Sequence, residues 1–212
     1  MTPPPVYLDY NATTPVDPEV AEAMLPYLTQ RFGNPSSSHP YGAEARAAVE
    51  EARRQVAALL GARAEEIVFT SGGTEGSNTV LHGVARLLRA KGRHLVTSAI
   101  EHPAVLEPCA ALEEDGWSVT RVGVDGTGRV DPSDVAAAIS EQTVLVSVMH
   151  ANNEVGTLQE IAEIARLAHE RGVLVHTDAA QSVGKVPVDV MALGVDFLTL
   201  AGHKLYAPKG VG

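Results

Sequence analysis

Lys204 stands in a Gly-His-Lys turn that follows a short apolar run, in the stretch GHKLYAPKGVG that closes the printed sequence. A lysine next to a buried strand loses hydration, which lowers the pKa of its amine from the ordinary value of about 10.4. The neutral amine is a nucleophile that forms Schiff bases with carbonyl compounds. Lys204 is therefore a candidate for carrying a carbonyl-containing cofactor.

The glycines of the stretch SGGTEG stand between a β-rich run and a helical pattern. Glycine lets the backbone approach a ligand closely, and the start of a helix offers free N–H groups to an anion. The stretch fits neither the P-loop pattern nor the GxGxxG pattern of dinucleotide-binding folds. We predict a phosphate cradle at Gly73 and Thr74, and a plain strand-to-helix turn is the alternative interpretation.

Other polar residues also follow apolar runs. Asp178 closes VLVHTD and would hold a cation or a protonated ring nitrogen, or else cap a helix. His102 follows HLVTS and would stack on a ring or transfer a proton, or else have a structural role. Asn152 and Asn153 are equally consistent with a turn. A phosphate cradle, a Schiff-base lysine and an acid for a pyridinium nitrogen are together what pyridoxal phosphate requires.

Helices and strands alternate along the chain and must position these residues. A first helix is predicted from Pro18 with Asp17 as its N-cap, and a second, longer helix is predicted to end at Gly61. The predicted strands are EIVFT, HLVTS, WSVTRVGV, TVLVSVM, VLVHTD and DFLTLA. This alternation predicts a three-layer α/β fold with a mostly parallel sheet flanked by helices. The polar clusters that follow the strands are expected to converge at the carboxyl edge of that sheet.

The composition limits the function classes further. Of 212 residues, 45% are hydrophobic and 20% are charged, as in an ordinary globular protein. The net charge of −10 argues against a nucleic-acid or anionic-membrane partner. The sequence shows neither a membrane-span pattern nor a signal-peptide pattern, and its 8 histidines lack metal-ligand spacing. The single cysteine, Cys109, excludes an internal disulfide and suits a reducing cytoplasm, and only residues 2–5 are predicted to be disordered.

Seven stretches in a fixed order carry a resemblance to a known family. They are YLDYNATTPVDPEV, GNPSSSHPYG, IVFTSGGTEGSN, EHPAVL, VSVMHANNEVGTLQ, HTDAAQSVGKVPVD and GHKLYAPKGVG. The chain resembles the cysteine desulfurases, which include selenocysteine lyases and belong to the class-V aminotransferase-like enzymes of pyridoxal-phosphate fold type I. The resemblance covers nearly the whole chain and implies pyridoxal 5'-phosphate as the cofactor.

The resemblance also implies roles for residues that match the family motifs. Lys204 would form the Schiff base with the cofactor and shuttle protons. His102 would stack on the cofactor ring and serve as an acid or base. Asp178 would pair with the pyridine nitrogen, and Gln181 would reach the ring hydroxyl.

Phosphate and substrate contacts follow from the same resemblance. Gly73, Thr74 and His203 would hold the phosphate, and Asn153 would lie near the ring hydroxyl and the substrate carboxylate. Many relatives have a serine where this chain has Ala201, so one phosphate hydrogen bond is expected to be missing. Such a bond is worth roughly 1.5–3 kcal/mol when one partner is charged.

Family chains are roughly twice as long as this one, by the same resemblance. It implies an N-terminal arm over residues 1–16 and an incomplete cofactor-binding large domain over residues 17–212. The C-terminal small domain is expected to be absent, with its substrate-binding arginine and its sulfur-accepting cysteine. Cys109 does not match that cysteine and is expected to pack in the core.

The implied activity is that of a pyridoxal-phosphate-dependent cysteine desulfurase. It converts L-cysteine to L-alanine and passes sulfane sulfur to an acceptor protein for iron–sulfur cluster biogenesis and sulfur metabolism. A cytoplasmic homodimer is expected. The alternatives are a selenocysteine lyase acting on L-selenocysteine and a truncated chain that binds the cofactor without turnover. A nucleotide-binding domain is disfavoured because both phosphate fingerprints are missing.

Overall fold

The computed structural model describes residues 5–212. Most of the stretch predicted to be disordered, residues 2–5, lies outside the described residues. The described part begins with extended chain that leads into two helices, α1 (Pro18–Thr29) and α2 (Pro40–Leu60).

Both helix boundaries that the sequence singles out are confirmed. The Asp17 carboxylate accepts a hydrogen bond from the backbone N–H of Glu19 and caps α1, which starts at Pro18. Gly61 ends α2 in the left-handed conformation, with a φ of 69°. Only glycine adopts that conformation without steric cost, so the residue type sets the end of the helix.

The described part of the chain forms one sheet of five strands, all parallel. The strands are β1 (His94–Ser98), β2 (Ser118–Val122), β3 (Thr143–Ser147), β4 (Leu174–Asp178) and β5 (Phe197–Thr199). Their order across the sheet is β2-β1-β3-β4-β5. Every residue of β1 and of β3 is buried, as expected for central strands covered on both faces.

Helices cover both faces of this sheet, which confirms the predicted three-layer α/β fold. Leu95 of β1 faces the layer formed by α3 (Gly73–Leu88) and α4 (Pro103–Glu114). The next residue, Val96, faces the opposite layer, formed by α5 (Pro132–Ala138) and α6 (Ile161–His169). Alternate residues of one strand therefore serve two separate apolar cores.

The prediction of a strand at EIVFT was wrong. Its first residue ends a short 3-10 helix, Ile67 has an extended backbone, and Ile67, Val68 and Phe69 belong to no strand. Only Thr70 is paired, through backbone hydrogen bonds of 2.8 and 2.9 Å with Gly212. β-branched and aromatic residues favour extended chain, but a strand also needs a partner along its length.

The structure also adds a short helix that the sequence did not predict, α7 (Val190–Leu193), capped by Asp189. Near the end of α2, Leu59 is exposed, whereas Ala57 and Leu60 are buried. Within residues 5–212, every helix is too short or too polar to cross a bilayer.

Candidate functional site

The strand order reverses beside β1, because the chain runs outward from β1 to β2 and then returns to β3 on the other side. Loops that leave two neighbouring parallel strands toward opposite faces open a crevice at the carboxyl edge, and ligands of such sheets bind there. The residues predicted from the sequence lie in the loops at this edge.

Lys204 lies in a short 3-10 turn, Gly202–Lys204, that follows β5. Its side chain is half-buried, and its ammonium donates a hydrogen bond to the backbone carbonyl of Asn11. Burial lowers the pKa of the Lys204 amine, although the nearby carboxylates of Asp178 and Asp9 oppose this effect. The amine is thus shifted toward the neutral, nucleophilic form that the sequence predicted.

Asn11 gathers three of the predicted residues around it. Its carbonyl accepts the hydrogen bond from Lys204 and a second, 3.0 Å long, from the side-chain amide of Gln181. Its own side-chain amide donates to the carbonyl of Asn153 at 3.2 Å. The sequence analysis missed Asn11, although it stands within YLDYNATTPVDPEV, a stretch that carries the family resemblance.

Thr13 and Thr14, which follow Asn11 in the chain, form hydrogen bonds with His203. The carbonyl of His203 accepts from both the N–H and the hydroxyl of Thr14, at 3.0 and 2.9 Å. Its ring nitrogen Nδ1 lies 3.1 Å from the Thr13 hydroxyl. Burial lowers the pKa of the His203 imidazole, and the charges of Lys204 and Lys209 lower it further. Residues 11–14, which we call the N-terminal strap, thus position the turn that carries Lys204.

Asp178 closes β4 and is only 7% exposed. One carboxylate oxygen accepts a 2.9 Å hydrogen bond from the N–H of Ala180 in the turn after β4, so Asp178 does not cap a helix, which was the alternative interpretation. Among residues 5–212 it forms no ion pair. Burial raises the pKa of the Asp178 carboxyl, whereas the Ala180 N–H, His102 and Lys204 lower it. A cationic group bound here would compensate that buried charge.

His102 is the N-cap of α4, because its Nδ1 accepts a 3.1 Å hydrogen bond from the N–H of Ala104. The rest of the ring is exposed at the edge of the crevice. The structural role and a stacking role are therefore compatible, since capping uses one ring nitrogen and leaves the ring face free.

The start of α3 lies beside the segment that leads to Lys204. The backbone N–H groups of Gly73, Thr74 and Glu75 donate to no protein acceptor in the described part of the chain. A Cβ built on Gly73 would lie 3.3 Å from the Cβ of Ala201, so this helix start packs against the segment before Lys204. Three free N–H groups at the positive end of a 16-residue helix suit a phosphate.

Asn78 links the start of α3 to the start of α4, where His102 is the N-cap. Its side-chain amide donates to the carbonyl of Thr74 at 2.9 Å and to the carbonyl of Ala104 at 3.4 Å. The first turns of α3 and α4 are therefore held side by side. The predicted polar clusters lie at one edge of the sheet, and hydrogen bonds of Asn11 and Asn78 link neighbouring loops there.

The residues present fit pyridoxal phosphate in their chemistry. The site offers a lysine of lowered pKa, a buried acid without a cation, and a helix start with free N–H groups. Ala201 is buried against Gly73 and brings no hydroxyl to the cradle. Within residues 5–212, no three His, Cys, Asp or Glu side chains are grouped to hold a metal ion.

Two further sequence interpretations concern Asn152 and Cys109. The side-chain oxygen of Asn152 accepts from the N–H groups of Glu154 and Val155, so this residue forms the turn that was one of its interpretations. Cys109 is fully buried in α4, and burial raises the pKa of its thiol to about 11. It packs in the core and offers no thiolate near neutral pH.

Comparison with known proteins places the chain among proteins of one kind. The model of the family "Aminotransferase class-V" matches residues 6–212. The cysteine desulfurase IscS of Dictyoglomus turgidum is 54% identical over 207 residues, which are 98% of this chain and 52% of that protein. A solved NifS-like protein superimposes with a TM-score of 0.95 at 42% identity, over 98% of this chain and 57% of the other.

A second solved structure, SspA in complex with cysteine, also gives a TM-score of 0.95 at 42% identity, covering 97% of this chain and 59% of that one. The chain spans about half the length of the curated relatives that it matches.

Proposed function

Because the chain belongs to the class-V aminotransferase family, whose members use pyridoxal phosphate, we propose that these residues form the cofactor-binding part of a cysteine desulfurase. The observation that carries the proposal is the convergence of Lys204, Asp178, His102 and the start of α3 around one crevice. The proposed reaction breaks the Cβ–S bond of L-cysteine, releases L-alanine and leaves sulfane sulfur on an enzyme thiol.

Each residue around the crevice would have a separate role toward the cofactor or the substrate. When bound, the cofactor would supply an electron-accepting ring that stabilises the carbanion formed at the substrate α-carbon. Lys204 would hold its aldehyde carbon and then move protons at the substrate. Asp178 would keep the ring nitrogen protonated, and His102 would cover the ring. Gln181 would bind the ring hydroxyl.

The phosphate and the substrate would be bound at opposite ends of the crevice. The first turn of α3, through Gly73 and Thr74, would bind the phosphate together with His203. Asn153 would reach the ring hydroxyl and the substrate carboxylate. In the domain division that we propose, residues 1–16 are an arm and residues 17–212 form the large domain.

The test of cofactor binding is spectroscopic and has a matched control. Purified protein mixed with pyridoxal phosphate is expected to show the absorbance band of a lysine-linked cofactor, and Lys204→Ala should abolish it. Lys185→Ala should keep the band, although burial and Lys204 lower the pKa of Lys185 as well. A wild type without the band, or a band that disappears in Lys185→Ala and persists in Lys204→Ala, would contradict the assignment.

A non-catalytic, cofactor-binding chain is favoured as the second candidate by one observation. Cys109 is buried with a raised thiol pKa, so the printed residues contain no thiol suited to accept sulfur. Assays of alanine and sulfide released from L-cysteine by these 212 residues decide between the two functions. The same assay with L-selenocysteine separates a desulfurase from a selenocysteine lyase.

The partners belong to the same proposal. We propose a cytoplasmic homodimer that passes sulfur to an acceptor protein for iron–sulfur cluster biogenesis. Apolar residues exposed on α1 support the self-association, and Leu28 is 68% exposed.

A further inference from the structure

Glu101 is a buried acid that the proposed mechanism leaves without a role. It stands immediately before His102, in the loop between β1 and α4, and is only 5% exposed. No arginine, lysine or histidine within the described residues forms an ion pair with it. Glutamate is almost never buried unless paired, so its position calls for an explanation.

The two oxygens of this carboxyl group differ sharply. Oε1 accepts a 2.5 Å hydrogen bond from the hydroxyl of Ser98 and a 2.8 Å hydrogen bond from the backbone N–H of Met149. Oε2 is buried and has no hydrogen-bond partner in the described part of the chain. Because Oε1 already accepts two hydrogen bonds, the proton of the neutral acid belongs on Oε2.

These hydrogen bonds join two strand ends at the reversal of strand order. Ser98 is the last residue of β1, and Met149 follows β3 by two positions. A second link runs in parallel, since the side-chain amide of Asn152 donates to the carbonyl of Ile100 at 3.2 Å. The loop that ends in His102 is therefore attached at two consecutive residues to the loop that carries Asn153.

The charges around Glu101 favour its neutral form. Burial raises its pKa to about 8, its hydrogen bonds from Ser98 and Met149 lower it, and the carboxylate of Asp178 at the end of β4 raises it further. Cys109, which faces it from α4, brings no positive charge. A neutral Glu101 leaves Asp178 as the buried carboxylate available to a protonated ring nitrogen.

We propose that Glu101 is a positioning residue of the cofactor site, whose neutral carboxyl group ties the end of β1 to the end of β3 and thereby holds His102 in place. The inference rests on the proposed function, because it gives His102 its role toward the cofactor. In this role Glu101 would touch neither substrate nor cofactor.

The main test measures pyridoxal phosphate affinity at pH 6.5 by absorbance titration. Glu101→Gln keeps an acceptor for Ser98 and Met149 and a donor in place of the acid proton, so its affinity should stay within about twofold of the wild type. Glu101→Leu leaves both donors buried and unpaired, and its affinity should fall about tenfold. Glu107→Gln, an exposed carboxyl on α4, is the matched control and should change nothing.

A double-variant cycle tests whether Glu101 acts through His102. If it does, Glu101→Leu should weaken binding much less in a His102→Ala background than in the wild type. Losses that multiply in the double variant would overturn the positioning role. So would a Glu101→Gln affinity about tenfold below the wild type, because the charge would then be required.

A melting experiment on the cofactor-free protein covers the case in which Glu101→Leu does not fold. The pKa of Glu101 is raised on folding, so its contribution to stability is complete below its ordinary value and is lost as the pH rises through about 8. Glu101→Gln lacks this loss, so its melting temperature relative to the wild type should rise by roughly 7–14 °C between pH 5.5 and 8.5, because about 2.5 pH units separate pH 5.5 from the raised pKa. If the difference in melting temperature between Glu101→Gln and the wild type did not change with pH, Glu101 would not be a neutral acid in the folded protein.

The two proposals fail in distinguishable ways. A wild type that shows no lysine-linked band contradicts the proposed function, and it also contradicts the positioning role of Glu101, which depends on that function. A wild type that binds the cofactor while Glu101→Leu binds equally well contradicts the role of Glu101 alone.

Discussion

Asp178 and Lys204 influence each other's protonation across the crevice. Burial lowers the pKa of the Lys204 amine, and the negative charges of Asp178 and Asp9 raise it, with Asp178 the larger of the two. Since only the neutral amine attacks an aldehyde, the acid that would serve the cofactor ring also slows the capture of the cofactor at low pH.

The prediction is that Asp178→Asn lowers the pKa of Lys204 still further, because it removes a charge that stabilises the ammonium. Below the midpoint of the pH profile, the first-order rate of pyridoxal phosphate capture should rise roughly two- to tenfold, since one pH unit in the midpoint is tenfold in neutral amine. Stopped-flow absorbance across a pH series measures this rate.

The carboxylates provide their own controls for that measurement. Asp9→Asn should act in the same direction with a smaller effect, and Asp134→Asn, on the exposed side of α5, should leave the profile unchanged. A profile that moves to higher pH in Asp178→Asn would show that the carboxylate acts on the lysine in another way.

Residue types and their places after strands were enough to predict from the sequence which candidate site residues lie at one edge of the sheet. Lys204, His102 and Asp178 each follow an apolar run, and parallel strands bring such positions to one edge. Glu101 and Asn11 were missed for a physical reason. Burial of an acid and a hydrogen bond to a backbone carbonyl depend on tertiary contacts, which leave no periodic signal in the chain.

At the scale of elements, helix ends could be predicted where they depend on residues close in sequence, as at Asp17 and Gly61. Strand assignment failed at EIVFT because pairing depends on a distant partner, and only Thr70 finds one. The short helix α7 was missed because four residues are too few for a periodic pattern.

The cap of α2 yields a stability prediction with an internal control. Gly61 and Gly172 both have a positive φ, 69° and 66°, but a Cβ on Gly61 would lie 2.5 Å from Oδ2 of Asp189, whereas nothing lies within 4 Å of a Cβ on Gly172. Gly172→Ala should therefore cost about 1 kcal/mol of unfolding free energy, the price of the left-handed conformation alone. Gly61→Ala should cost more, because Asp189 must also move.

Denaturant unfolding of the two variants measures that difference. The other carboxylate oxygen of Asp189 caps α7 by accepting from the N–H groups of Met191 and Ala192, both at 2.9 Å. Losing such a cap costs about 1 kcal/mol, which sets the expected gap between the two variants. Equal losses would mean that Asp189 adjusts without cost.

For the molecule as a whole, the outstanding feature is a helix without a buried side. No residue of α1 is buried, and Leu25 and Leu28 are 59% and 68% exposed. An exposed helix of 12 residues is marginal by itself, so its apolar side chains are expected to pack against another surface.

The prediction is that Leu25→Gln/Leu28→Gln weakens self-association of the wild type by tenfold or more. Burying one leucine contributes about 1.5–3 kcal/mol, so two lost contacts exceed that factor. Sedimentation velocity over a concentration series measures the association, and Glu22→Gln on the same helix is the control. A wild type that stays monomeric at all concentrations would contradict the expectation.

The N-terminal strap carries a consequence for the order in which the protein is made. Thr14 contacts His203 across 189 positions, and Asn11 contacts Lys204 across 193. A ribosome adds about 5–20 residues per second, so roughly 10–40 s pass between synthesis of the strap and synthesis of the residues that it contacts. Cofactor capture at Lys204, as proposed, therefore requires residues made far apart in time, and a nascent chain that has not reached residue 203 has no complete site to load.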